Sequence, residues 1–138
     1  MSDQNKAILS RIFEIMSQGN LADLDEVVAA NVIDHNPEPG QAPGLEGVRQ
    51  ALTMWRVAFP DLEMVAEDMI AEGDKVVARL VMRGTNSGEF MGMPSTGKEV
   101  SITGVEIARI AGGKTVERWG QFDGLGMMMQ LGLMAQPE

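Results

Sequence analysis

Two acids in the second half of the chain could move protons. Asp123 closes the run Arg118–Phe122 and is followed by Gly-Leu-Gly and a Met-rich segment. An acid at the end of a buried strand is a candidate general acid/base. An Asp directly before a short helix is equally suited to cap it. Glu106 lies within the preceding β-type run, where alternation puts it on one face with Ile102, Gly104 and Ala108. A lone Glu among small and apolar neighbours is unusual for a solvated face. Asp123 and Glu106 are therefore candidate catalytic residues. On the last strand Glu117, Trp119, Gln121 and Asp123 share a face by parity. If Glu106 and Asp123 face one cavity, both cannot ionise freely there, and the pair titrates with apparent values. Arg79 and Arg83 lie with Val77 and Val81. A cross-strand Glu106–Arg79 ion pair on an outer face competes with the catalytic reading of Glu106.

Composition removes other chemistries. The chain has no cysteine, so disulfides, thiolate nucleophiles and thiolate metal sites are out. It has no tyrosine, which removes a phenol as oxyanion donor, and its single histidine, His35, excludes a His-rich metal site. The formal net charge of −9 argues against nucleic acid and anionic membrane surfaces as partners. It leaves room for an acidic ligand held by a local Arg. No run reaches transmembrane length and the N-terminus is polar, so a cytoplasmic protein is expected. Twelve methionines are many for 138 residues; Met fills core gaps or lines adaptable apolar cavities.

The elements that must position these residues follow from periodicity. Ile8, Ile12, Ile15 and Met16 recur at helical spacing up to Gly19-Asn20. A short second helix turns Leu21, Leu24, Val27 and Val28 inward, and 31–35 reads as a brief extended piece. Asn36–Gly44, with three prolines and two glycines, is a loop. Leu45, Val48, Leu52, Trp55 and Phe59 mark a third helix. The period then drops to two. Leu62–Ala71 and Lys75–Arg83 form one hairpin, and Val100–Ile110 with Thr115–Phe122 forms a second. A short helical turn, Leu125–Met134, ends the chain. One domain over residues 1–138 is expected. Its fold class is α+β: a curved antiparallel sheet wrapped around N-terminal helices, a cone-shaped barrel with an internal cavity.

Four stretches carry a resemblance over nearly the whole length: DHNP at Asp34–Pro37, GTNSGEFMGMPSTGK at Gly84–Lys98, TGVEIARIAGGK at Thr103–Lys114 and ERWGQFDGLGMMMQLG from Glu117. In these the chain resembles the SnoaL-like polyketide cyclases of the nuclear-transport-factor-2-like superfamily. The resemblance implies intramolecular aldol cyclisation of a polyketide ester, with no metal and no cofactor. Asp123 matches the catalytic aspartate and Asn36 a pocket asparagine, while Glu106 stands where the cyclases carry a histidine. The expected partner is a small hydrophobic molecule contacting Asn36, His35, Trp55, Arg79, Trp119 and Met91. His35 is equally readable as a loop histidine bonding backbone, and the two tryptophans as core or pocket wall. A homodimer packing sheet on sheet is expected from Val105, Ile107 and Val116. Two alternatives stand beside the cyclase: epoxide hydrolysis by a carboxylate pair with an Arg, drawn from Glu106, Asp123 and Arg79, and non-catalytic binding of an apolar molecule. Ketosteroid-isomerase and scytalone-type dehydration chemistry need the absent tyrosine.

Overall fold

The computed structural model describes residues 2–134. Helix α1 (Ser2–Gln18) leads through a 3₁₀ segment, Leu21–Glu26, into strand β1 (Val28–Asp34). Helix α2 (Gly44–Ala58) precedes β2 (Glu63–Glu72), β3 (Lys75–Thr85), β4 (Glu99–Ala111) and β5 (Lys114–Phe122), and α3 (Gly124–Gln130) follows. The sheet runs in the order β1-β5-β4-β3-β2. β2 to β5 form the expected antiparallel meander.

The sheet is larger than four strands and is mixed. The extended piece before the Pro-rich loop is a full fifth strand, β1, lying parallel to β5. A parallel neighbour needs a long crossover, and the intervening chain from α2 to β4 supplies it. The sheet has two ends, β1 and β2, and does not close. The expected second helix is a 3₁₀ segment.

Alternation on β4 is strict: Val100, Ile102, Gly104, Glu106, Ala108 and Ile110 are all buried. With Val76, Ala78, Leu80 and Met82 of β3 they make the inner face, onto which Leu9 and Phe13 of α1 pack. A second cluster joins Ile15, Leu24, Val28, Val32, Leu45 and Val48 beneath α2. β-Bulges interrupt the β2–β3 ladder between Ala66 and Asp68 and the β4–β5 ladder between Arg109 and Ile110. Each adds local twist and bends the sheet.

The Gly- and Pro-rich loop between β3 and β4 is organised by one buried side chain. Asn86 donates from Nδ2 to the carbonyls of Ala58 (3.2 Å) and Gly88 (2.9 Å). Its Oδ1 accepts from the Thr96 backbone N–H (2.9 Å) and the Thr96 hydroxyl (3.1 Å). The loop is thereby pinned to the end of α2, with Phe90 packed beside Trp55 (ring centroids 4.9 Å apart). Asn86→Ala strands several buried partners and is expected to cost about 2–3 kcal/mol. Urea unfolding measures the loss, and hydrogen exchange should show faster exchange in 87–97. An unchanged midpoint would mean that the loop is held by its apolar contacts instead.

Candidate functional site

Between the inner face of the sheet, α1 and α2 lies a cavity of about 600 Å³. Most of its wall is apolar: Leu9, Phe13 and Met16 from α1, Leu52 and Trp55 from α2, Met82 from β3. Phe90, Met91 and Met93 of the β3–β4 loop contribute further apolar surface. Against this background Asp34, Asn36, Glu38, Gln41, Glu106 and Arg118 bring polar side chains together, with Thr115 and Gln121 also in the lining.

Arg118 is the centre of the group. Its Nε and Nη2 donate to Glu106 Oε1 (2.6 Å) and Oε2 (2.8 Å), a two-pronged clasp. Its Nη1 donates to Asp34 Oδ1 at 2.5 Å. Asp34 is further held by the backbone N–H of Asn36 and by Gln41 Nε2, each at 2.9 Å. A planar guanidinium suits this double role because its donors are fixed in a fork. Burial raises the pKa of Glu106 above the ordinary value, and the Asp34 charge adds to the rise; the Arg118 hydrogen bonds and charge oppose it. For Arg118 burial works against the charged form, but Glu106 and Asp34 outweigh it and hold the guanidinium above its ordinary range.

Two more contacts shape the polar region. Asn36 Oδ1 accepts from the Gly120 backbone N–H at 2.9 Å. The oxygen is thus engaged, and the Nδ2 hydrogens remain as donors. Trp55 Nε1 donates to Glu38 Oε1 at 3.4 Å, tying α2 to the Pro-rich loop.

The expected residues separate onto two faces. Glu106, Asn36, Trp55 and Met91 line the cavity. Asp123 does not: it is exposed and caps α3, its Oδ1 accepting from the Gly126 N–H at 2.8 Å. Glu106 and Asp123 therefore form no pair, because β5 turns Arg118, Gly120 and Phe122 toward the cavity. Arg79 pairs in register with Val105 and lies with it on the outer face, away from Glu106. His35 and Trp119 are also absent from the cavity lining. Their rings stack at 4.7 Å with an interplanar angle of 4°, and His35 Nε2 lies 2.6 Å from Glu117 Oε2. Glu117 also accepts from Arg109 Nε (2.7 Å); that bond first, and then the one from His35, lowers its pKa. Asp34 and Arg118, the residues that bind Glu106 into a cluster, were not expected. Arg118 was readable as the one charged residue within 115–122 on the face opposite Trp119.

Among the described residues no helix is long and apolar enough to cross a membrane.

Residues 6–131 match the model of the SnoaL-like polyketide cyclases. The chain is 30% identical over 131 residues to the aklanonic acid methyl ester cyclase DauD of Streptomyces sp. (strain C5), covering 91% of this chain and 80% of DauD. Among solved structures it superposes on TsrD from Streptomyces laurentii with a TM-score of 0.89 and 28% identity, over 97% of this chain and 98% of TsrD. IdmH from Streptomyces antibioticus gives a TM-score of 0.82 and 34% identity, over 94% and 99% of the two chains. With the model match spanning nearly its whole length and the fold shared throughout, the chain belongs to the SnoaL-like polyketide cyclase family.

Proposed function

We propose that the protein catalyses a cofactor-independent aldol-type cyclisation of a small hydrophobic carbonyl compound, with Glu106 as general acid/base. The observation that carries this reading is the buried Glu106 carboxylate at the edge of a largely apolar cavity, clasped by Arg118. A carboxylate with a raised pKa is suited to take a proton from carbon near neutral pH and return it. Glu106 would remove a proton alpha to a carbonyl. The enolate carbon would attack a second carbonyl of the same molecule, forming one C–C bond, and the resulting alkoxide would take the proton back from Glu106. Substrate and product are isomers, so no oxidant or reductant is needed. Asn36 Nδ2 would donate to the enolate oxygen, and the apolar walls would fold the chain into reactive proximity. Asp123, the acid expected from the motif, serves α3 as its cap and has no part in this scheme.

The test is α-proton exchange. A neutral polyketo methyl ester incubated with the protein in D₂O should gain deuterium alpha to its carbonyl faster than in buffer, and cyclised product should follow. Exchange at the buffer rate with every keto ester tried would remove the acid/base reading.

A second reading is favoured by one specific observation. A guanidinium held between two carboxylates, Asp34 and Glu106, is the type of set that epoxide hydrolysis uses. One carboxylate would activate a water for attack while the other group protonates the opening oxygen. Incorporation of ¹⁸O from water into a diol, with no exchange of keto esters, would favour it over the cyclase.

The protein is also proposed to be a homodimer joined through the outer sheet face. Val105 is 44% exposed there, and Ile107 and Val116 are partly exposed. Sizing with light scattering at micromolar concentration should return twice the 14.9 kDa chain mass. A monomer would overturn the dimer without touching the chemistry.

A further inference from the structure

Gly120 stands directly opposite Glu106 in the β4–β5 ladder, two residues after Arg118 on the same face. A β-carbon built at Gly120 would overlap Arg118 Nη2 and lie 2.5 Å from Glu106 Oε2. Both obstructed atoms are side-chain ends. No backbone lies in the way, and Gly120 is not among the glycines with positive φ. The strand would therefore accept alanine, and the ion pair would not.

We propose that Gly120 is a positioning residue: its missing side chain leaves the space through which the Arg118 guanidinium crosses β5 and clasps Glu106 with two hydrogen bonds. The functional weight of this inference rests on the reading of Glu106 as the cavity acid/base. Residue 120 then sets the working state of that acid. With the clasp in place, two charge-assisted hydrogen bonds favour the ionised form, a base. With the guanidinium pushed aside, Glu106 stays buried beside Asp34 and becomes a protonated acid over a wider pH range. The charged groups facing it are few. Arg118 comes from β5, Asp34 from β1 and Glu38 from the loop after β1, while α1, α2 and β3 contribute only apolar residues to the lining. Among the described residues no other cation lines the cavity.

The experiment reads the titration of Glu106, not turnover. Side-chain carboxyl ¹³C shifts are followed against pH in the wild type and in Gly120→Ala, with Glu106→Gln assigning the signal. The expected result is a midpoint at least one pH unit higher in Gly120→Ala, a tenfold change in proton affinity, with an unchanged far-ultraviolet spectrum. A midpoint equal to that of the wild type overturns the proposal. A thermodynamic cycle covers the case in which Gly120→Ala folds poorly. At pH 5 the substitution should cost more in the wild type than in Arg118→Ala, where only Glu106 Oε2 remains to be displaced. Equal costs in both backgrounds overturn it as well. Neither readout uses a substrate, so a failure of the cyclase reading is separable from a failure of this one.

Discussion

Replacing Arg118 with methionine is expected to cost about 3–5 kcal/mol of stability at pH 7, because removing one partner of a buried ionic group strands the others. Here two carboxylates are stranded together. Asp34 keeps Gln41 and the Asn36 backbone N–H, whereas Glu106 loses both of its hydrogen bonds. The stem of methionine refills part of the apolar volume, so the loss reports on the charge more than on packing.

The pH dependence distinguishes this mechanism from a packing defect. The folded-state pKa of Glu106 is raised above the ordinary value of 4.5, chiefly by burial. A group raised in this way favours folding fully only below its unfolded value, and that contribution is lost as pH rises through the folded value. Without Arg118 its hydrogen bonds and charge no longer oppose burial, and the folded value climbs further. The variant should therefore be penalised most at pH 7–8 and recover toward the wild type as pH falls toward 4.5. Urea unfolding at several pH values across this range measures it. A deficit of constant size would assign the loss to packing, and the clasp would then have little electrostatic weight.

The element layout was readable because hydrophobic period and turn chemistry agreed. Leu45, Val48, Leu52 and Trp55 fall within α2 as found, and Glu72-Gly73-Asp74 and Gly112-Gly113 mark the two hairpin turns. β1 was underread because its partner in the ladder is β5, far along the chain, and nothing local announces a parallel pairing. Which face of β5 meets the cavity turns on a single residue. From the turn outward, Ala111 pairs with Lys114 and Ile110 with Thr115. Continued without interruption, that register sets Glu106 opposite Trp119, and Asp123 shares its face. The ladder instead skips Val116, so Arg109 meets Glu117 and Glu106 meets Gly120. A one-residue shift exchanges the two faces of a strand. It carries Asp123 and Trp119 to the outside and brings Arg118 and Gly120 in. Arg79 lies outside for a different reason: alternation on β3 groups it with Val77 and Val81, but which face lines the cavity depends on where α1 packs. The Asp34–Arg118 contact joins residues 84 positions apart, beyond what parity along a strand reveals.

Glu106→Gln is expected to lower α-proton exchange and cyclisation of a responsive keto ester by about 10²–10⁴-fold, the usual contribution of a positioned acid/base. The amide keeps the size of the carboxylate and can still accept a hydrogen bond from Arg118, but it cannot take a proton. Substrate affinity should change little, because the apolar walls of the cavity remain intact. Arg118 loses the charge it neutralises, so stability must be measured alongside rate, and the comparison made at a temperature where both proteins are folded. Asp123→Asn supplies the control. It also replaces a carboxylate by an amide of the same size, and asparagine caps helices about as well as aspartate. It should leave both rate and stability close to those of the wild type. The opposite pattern, with Asp123→Asn inactive and Glu106→Gln active, would move the chemistry out of the cavity that Arg118 organises and return it to the end of β5. Loss of exchange in Glu106→Gln alone would identify the buried Glu as the group that moves the proton, because the cavity, the clasping arginine and the cap of α3 would all still be present.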